Sequence, residues 1–234
     1  MPSMGVTVIE LTPGPLADPG SDRYAQLIGA LDAAAARPPR ALLVLAPDGL
    51  GADEPRVPTP RGLRDPAALL ASFPAPTVAV WNGPAIGAGA ELVLAADIRV
   101  IGPDARMAFP EVGAGSLPCW GGTQRLPRAG GAALALRLLV IGEVADSALL
   151  TNSGLALGAT DPVADGTELA RRLALGAPRA QEAARDAVHR GLDVTLSDGL
   201  RLESDLNLLL STTTDRAEGI AAFFDKRAPR FTGE

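Results

Sequence analysis

The chain of 234 residues is 47% hydrophobic and 21% charged, a balance that excludes fibrous and disordered classes and fits one globular domain with a small helical appendage. A net charge of −6 with no basic run disfavours nucleic acid as a partner; the apolar runs are too short to span a bilayer and the first twenty residues lack a basic-then-apolar targeting order, so a cytoplasmic protein is expected. One cysteine, Cys119, and one histidine, His189, exclude an internal disulfide and a thiolate or imidazole metal site, and no glycine-rich phosphate loop precedes Lys226, the sole lysine.

In chain order, residues 5–11 alternate apolar and polar as a strand does, and 11–22 are turn material in which Ser21 or Asp22 can cap a helix. Tyr24, Leu27, Ile28 and Leu31 recur at helical spacing up to the stop at Arg37-Pro38-Pro39, and residues 41–46 read as a buried strand. Residues 47–62 are loop-like, 66–73 predict a short helix and 76–81 a third strand. A small-residue loop over 82–90 runs into a helix over 91–97, followed by a strand at 98–102. This alternation predicts an α/β sheet. From Thr123 the pattern turns helical, through 133–142, 168–176, 182–192 and one long stretch from Thr195 to Lys226.

Several familiar motifs fail. Gly87-x-Gly89 is not a dinucleotide fingerprint because position 92 is Leu, Gly49-x-Gly51 fails at Glu54, and no serine lies in a nucleophile elbow. His189 reads as a solvated helix residue beside Arg190, and Cys119 has no plausible histidine partner for a nucleophilic role. What holds is the stretch from Ala75 to Arg128, with Asn82-Gly83, Gly87-Ala88-Gly89-Ala90-Glu91-Leu92, Asp97-Ile98, Phe109-Pro110-Glu111 and Gly121-Gly122-Thr123-Gln124-Arg125-Leu126. Weaker signals lie at Gly51-Ala52-Asp53 and at Ala222-Phe223-Phe224-Asp225-Lys226-Arg227. This set of motifs resembles the crotonase superfamily, the enoyl-CoA hydratase and isomerase family.

The resemblance implies an α/β fold with a crotonase-type ββα spiral core over residues 1–175 and a C-terminal helical trimerisation region over 176–234. It implies hydration of a 2-enoyl-CoA to the 3-hydroxyacyl-CoA, with no cofactor besides the CoA carried by the substrate, no metal, and assembly as a homotrimer or hexamer. Isomerisation, another enolate-forming reaction such as decarboxylation or thioester hydrolysis, and non-catalytic acyl-CoA binding stay open as alternatives.

By the same resemblance Glu91 and Glu111 are the acid/base pair, Glu91 handling the water, shared with Glu111, and Glu111 delivering the proton, while the backbone N–H groups of Leu50 and Ala88 form the oxyanion hole. Gly51, Ala52, Asp53, Gly87, Cys119 and Trp120 fall at substrate-binding positions, and Phe223 with Lys226 would touch the adenine end of a CoA bound mainly by a neighbouring subunit. The residues support part of this on their own. Small residues leading into a helix let a ligand approach the backbone, and they point unpaired N–H groups outward at the positive end of a helix dipole. Spacing alone leaves Glu91 as an ordinary first-turn surface glutamate, and Phe223 as a core aromatic on one face with a solvated Lys226.

The chain departs from the family pattern at four places. Ala88 stands where glycine is usual, Cys119-Trp120 where two small residues are, and no positive charge lies between Leu11 and Gly20, leaving Arg23, Arg56, Arg61 or Arg64 as candidate phosphate partners. The segment carrying Pro58 and Pro60 is also short. Trp120 is expected to narrow or redirect the acyl pocket.

Overall fold

The computed structural model describes residues 5–14, 16, 18, 21–51 and 64–234. The elements run β1 (Val6–Glu10), α1 (Asp22–Ala36), β2 (Ala41–Ala46), α2 (Pro66–Ala71), β3 (Thr77–Trp81), β4 (Pro84–Ile86), α3 (Ala88–Ala95), β5 (Ile98–Ile101), β6 (Arg106–Ala108) and α4 (Gly122–Leu136). A π-helical turn (Arg137–Ile141) then leads to β7 (Ala145–Asp146), α5 (Ser147–Asn152), β8 (Leu157–Gly158), α6 (Pro162–Ala174), α7 (Pro178–Gly191), α8 (Leu196–Leu210) and α9 (Thr214–Asp225). No helix among these residues is long and apolar enough to cross a membrane.

Two sheets form. Five parallel strands lie in the order β1-β2-β3-β5-β8, and a smaller sheet has β4 parallel to β6 and β6 antiparallel to β7. The uninterrupted apolar sequence of β2 follows from burial on both faces. Leu42 and Val44 join Ala79 and Trp81 of β3 in a core beneath α1, α2 and α3, whereas Leu43 joins Val78 and Val80 in a second core under α6. Gly166 of α6 makes that second contact close, because a Cβ there would lie 2.3 Å from Val80 Cγ2.

The sequence pattern overlooked β4, β7, β8 and α5, each six residues or fewer, too short for periodicity to register. The long C-terminal helix expected over 195–226 is two helices. They break at Ser211-Thr212-Thr213, whose hydroxyls bond to backbone carbonyls three residues back, and Thr213 Oγ1 then accepts from Arg216 N–H to cap α9. Such local side-chain bonds compete with helix continuation.

The helical region is tied to the core at the N-terminal ends of the large sheet's strands. Asp97, just before β5, accepts from the Thr77 N–H (2.8 Å) and hydroxyl (2.9 Å), and pairs with Arg185 (2.9 Å) and His189 (3.1 Å) of α7. His189 is therefore a helix residue with a specific carboxylate partner, rather than merely solvated. At the end of the chain, the Asp215 carboxylate accepts the Thr232 and Gly233 N–H groups at 2.6 and 2.9 Å, and Arg40 Nη2 donates to the Phe231 carbonyl at 3.0 Å.

Candidate active site

The site forms where the turn after β2 meets β4 and the start of α3. The two chains touch backbone to backbone. Leu50 bridges Ala85, and an added Cβ would lie 2.4 Å from Asp48 O at Gly83, 2.4 Å from Leu50 O at Gly89 and 2.0 Å from Ile86 O at Gly51. Glycine at these points is what permits the approach. Asn82 supports the same region, accepting the Asp104 N–H on Oδ1 at 3.0 Å.

This clamp corrects one assignment. The Leu50 N–H donates to the Pro84 carbonyl at 2.7 Å and the Leu50 carbonyl accepts from Ile86 N–H at 3.0 Å, so its donor is spent in the bridge and does not serve an oxyanion. The Gly51 N–H is likewise committed, to Gly14 O at 3.2 Å. The next donors in the chain, at Ala52 and Asp53, lie outside the described residues, as do Arg56, Arg61, Pro58 and Pro60.

The second loop keeps its donor. Gly87 takes the positive φ (53°), so Ala88 begins α3 as its first residue without strain from its methyl group. Among the described residues no acceptor takes the Ala88 N–H, which is one of the unpaired donors at the positive end of the helix.

Glu91 lies in the first turn of α3 and is fully buried (0% exposed), not a surface glutamate. Its Oε1 accepts the N–H groups of Trp120 and Gly122, both at 2.7 Å, and its Oε2 accepts the Cys119 N–H at 3.3 Å. These donors belong to the loop entering α4, where Gly121 (φ 93°) is the N-cap and Gly122 the first helical residue. Three peptide donors and a helix N-terminus favour the ionised carboxylate. Close approach is again the function of glycine, since a Cβ at Gly122 would lie 3.0 Å from Glu91 Cγ.

Glu111 (2% exposed) follows β6 after Phe109 and Pro110, and its carbonyl accepts from Ala114 and Ser116 N–H at 3.0 and 2.8 Å to fix the turn. Ile86 pairs with Ala108, and Gly87 N–H donates to Ala108 O at 3.0 Å, so the start of α3 and the end of β6 adjoin. The two glutamates thus depart from neighbouring chain ends on the carboxyl side of a parallel strand pair.

The Trp120 indole is 1% exposed and packs against Tyr24 of α1 with ring centroids 6.1 Å apart, so it belongs to the core. Cys119 is exposed, its thiol directed to Leu117 O at 3.2 Å. The Arg125 guanidinium donates to the Trp120 carbonyl; burial pulls its pKa below the usual arginine value, with Asp65 acting in the opposite direction.

Of the arginines offered for a phosphate, Arg64 is bound through both terminal nitrogens to Asp32. Arg23 donates to Pro13 O at 2.6 Å, and burial lowers its pKa. Phe223 is 79% exposed, which removes the core reading of that side chain, and Lys226 is the left-handed C-cap of α9 (φ 54°). Both lie far along the chain from the glutamates. Sequence reasoning missed the N–H donors of positions 119, 120 and 122; the Gly121-Gly122 pair ahead of a helix was their signal.

Comparison with known proteins identifies the family. The family described as enoyl-CoA hydratase/isomerase matches residues 60–234. The chain is 40% identical over 172 residues to mitochondrial enoyl-CoA hydratase domain-containing protein 2 of Bos taurus, covering 70% of this chain and 58% of that protein. It is 40% identical over 169 residues to 2,3-dehydroadipyl-CoA hydratase of Escherichia coli K12, covering 71% and 66%. The chain therefore spans about three-fifths of the length of the curated relatives it matches. The crystal structure titled a putative enoyl-CoA hydratase/isomerase from Mycobacterium abscessus superimposes with a TM-score of 0.84 at 27% identity, over 99% of this chain and 97% of that one.

Proposed function

The chain belongs to the enoyl-CoA hydratase/isomerase family, and from that premise we propose that it adds water to a 2-enoyl-CoA to give the 3-hydroxyacyl-CoA. The observation that carries the proposal is the pair of buried glutamates, Glu91 and Glu111, on adjoining chain ends, with Glu91 in the first turn of the helix that Ala88 begins. The relatives' names point the same way.

In this reading the Ala88 N–H binds the thioester oxygen. Ionised Glu91 takes a proton from water as its oxygen bonds to C3, the C2–C3 π electrons move toward the thioester oxygen, and Glu111 delivers a proton to C2. Both substrate protons come from carboxyl and water, and transfer between the two carboxyls resets the site. The reaction so drawn calls for no metal or redox cofactor.

The proposal extends to assembly. Helices α7 and α8 contain no buried residue, and Leu196, Leu208 and Phe224 are exposed on α8 and α9. We take these surfaces as the contacts of a homotrimer or hexamer, in which Phe223 and Lys226 reach the adenine end of a CoA held by a neighbouring subunit.

The test is loss of the conjugated enoyl-thioester absorbance of crotonyl-CoA. Glu111→Gln is expected to lower turnover roughly 10²–10⁴-fold, and Glu91→Gln to do the same for hydration. Retention of the full hydratase rate by Glu91→Gln overturns the two-glutamate reading, and double-bond shift without hydration identifies an isomerase. Thermal stabilisation by acyl-CoA without turnover identifies a binder.

A further inference from the structure

We propose that Trp120 is a positioning residue: its buried indole holds the loop over residues 119–122 against the core, and so keeps the N–H groups of positions 120 and 122 on Glu91 Oε1. The inference rests on Glu91 acting as the base in hydration.

Besides its backbone bonds to Glu91 and Arg125, the loop is fixed by side-chain packing chiefly through the indole. Cys119 is exposed, Gly121 and Gly122 have no side chains, and Thr123 and Gln124 are not buried, so between Pro118 and Leu126 the indole is the only large side chain fully inside. Burying it removes on the order of 200 Å² of aromatic surface from water. Its contact, Tyr24, is itself buried in α1, and the Tyr24 hydroxyl donates to the Arg64 carbonyl just ahead of α2. The ring therefore bears on α1 and, through Tyr24, on the lead-in to α2.

The backbone of the same residue faces the chemistry. Its N–H is on Glu91 Oε1 at 2.7 Å, alongside the Gly122 N–H at 2.7 Å, and its carbonyl accepts from Arg125. The Trp120 side chain thus acts on Glu91 through the loop, without touching substrate.

Removing the anchor has a defined consequence. If the loop drifts, Glu91 loses bonds that favour its ionised form, so it ionises at higher pH. The acid limb of the kcat/KM profile, which reports the base, then moves upward. Arg125 and Glu111, the neighbouring charged groups, are unchanged in every variant.

The experiment compares wild type, Trp120→Phe and Trp120→Ala by pH profile on crotonyl-CoA and by hydrogen exchange of the peptide over 117–126 without substrate. Trp120→Ala is expected to shift the acid limb up by about one pH unit, with kcat falling more than KM changes, and to speed exchange. Trp120→Phe keeps an aromatic ring against Tyr24 and is expected to restore both. Should the alanine variant fail to fold, Trp120→Leu, which keeps apolar volume, is expected to shift the limb in the same direction by less.

A limb that stays in place while only the amount of active protein falls overturns the proposal, because a merely structural role has that signature. If the wild type shows no hydration, the assigned function fails by itself and exchange decides: faster exchange in Trp120→Ala but not in Trp120→Phe supports the anchor, and equal exchange in all three refutes it.

Discussion

Single atoms decide most of what Glu91 and Ala88 do. Ala88 is the first residue of α3, a position where proline is tolerated because no intrahelical bond is lost. Ala88→Pro therefore deletes one N–H and leaves the helix; kcat on crotonyl-CoA is expected to fall roughly a hundredfold or more, with the melting temperature near that of wild type. Gly122→Ala places a methyl 3.0 Å from Glu91 Cγ and 3.1 Å from Oε1, so either the carboxylate or the loop must move. A drop of roughly ten- to a hundredfold in kcat, larger than any change in KM, is expected from steady-state kinetics.

Among the elements, α6 and α9 show how a contact and an ion pair act at different places. Gly166→Val puts side-chain atoms where Val80 already lies and is expected to destabilise the protein by about 1–3 kcal/mol or more, read as a lower urea midpoint. In α9, Glu218 accepts from Arg227 at 2.6 and 2.8 Å and from the Arg230 N–H at 2.7 Å. The Arg227 side chain, then the Arg230 backbone, hold its carboxyl down at about 2 against an ordinary 4.5. A depressed carboxyl contributes stability that is complete above the unfolded value and lost as pH falls through the folded one. Glu218→Gln is thus expected to melt below wild type at neutral pH, the gap closing between pH 4.5 and about 2 in thermal scans. The break between α8 and α9 belongs to this scale as well. Apolar spacing continues through Ser211-Thr212-Thr213, so periodicity reads one helix, but hydroxyl bonds to carbonyls end α8 there.

For the whole molecule, the surface of the helical region matters most. Leu208, Leu196 and Phe224 are exposed on α8 and α9, and the assembly proposed above would cover them. Leu208→Asp is expected to shift sedimentation velocity toward smaller species; a wild type that sediments as one chain at micromolar concentration contradicts the assembly. The same surface explains why Phe223, read from spacing as equally a core residue, is on the outside: α7 and α8 bury none of their own residues in one chain.

The sequence by itself determined the repeated strand-and-helix order, the limits of β2 at Ala41 and Ala46, a cap of α1 at Ser21 or Asp22 and the place of Glu91 and Glu111 in the family motif. These follow from short-range patterns: unbroken apolar runs, cap residues and local motifs. Tertiary structure alone decided that Leu50 spends its N–H on Pro84, that Trp120 lies in the core against Tyr24, that His189 meets Asp97, and that Cys119, Trp120 and Gly122 give their N–H groups to Glu91. Each joins residues 28 to 96 positions apart, or depends on which of several donors another strand has already taken, and neither is encoded in the spacing of residue types along the chain.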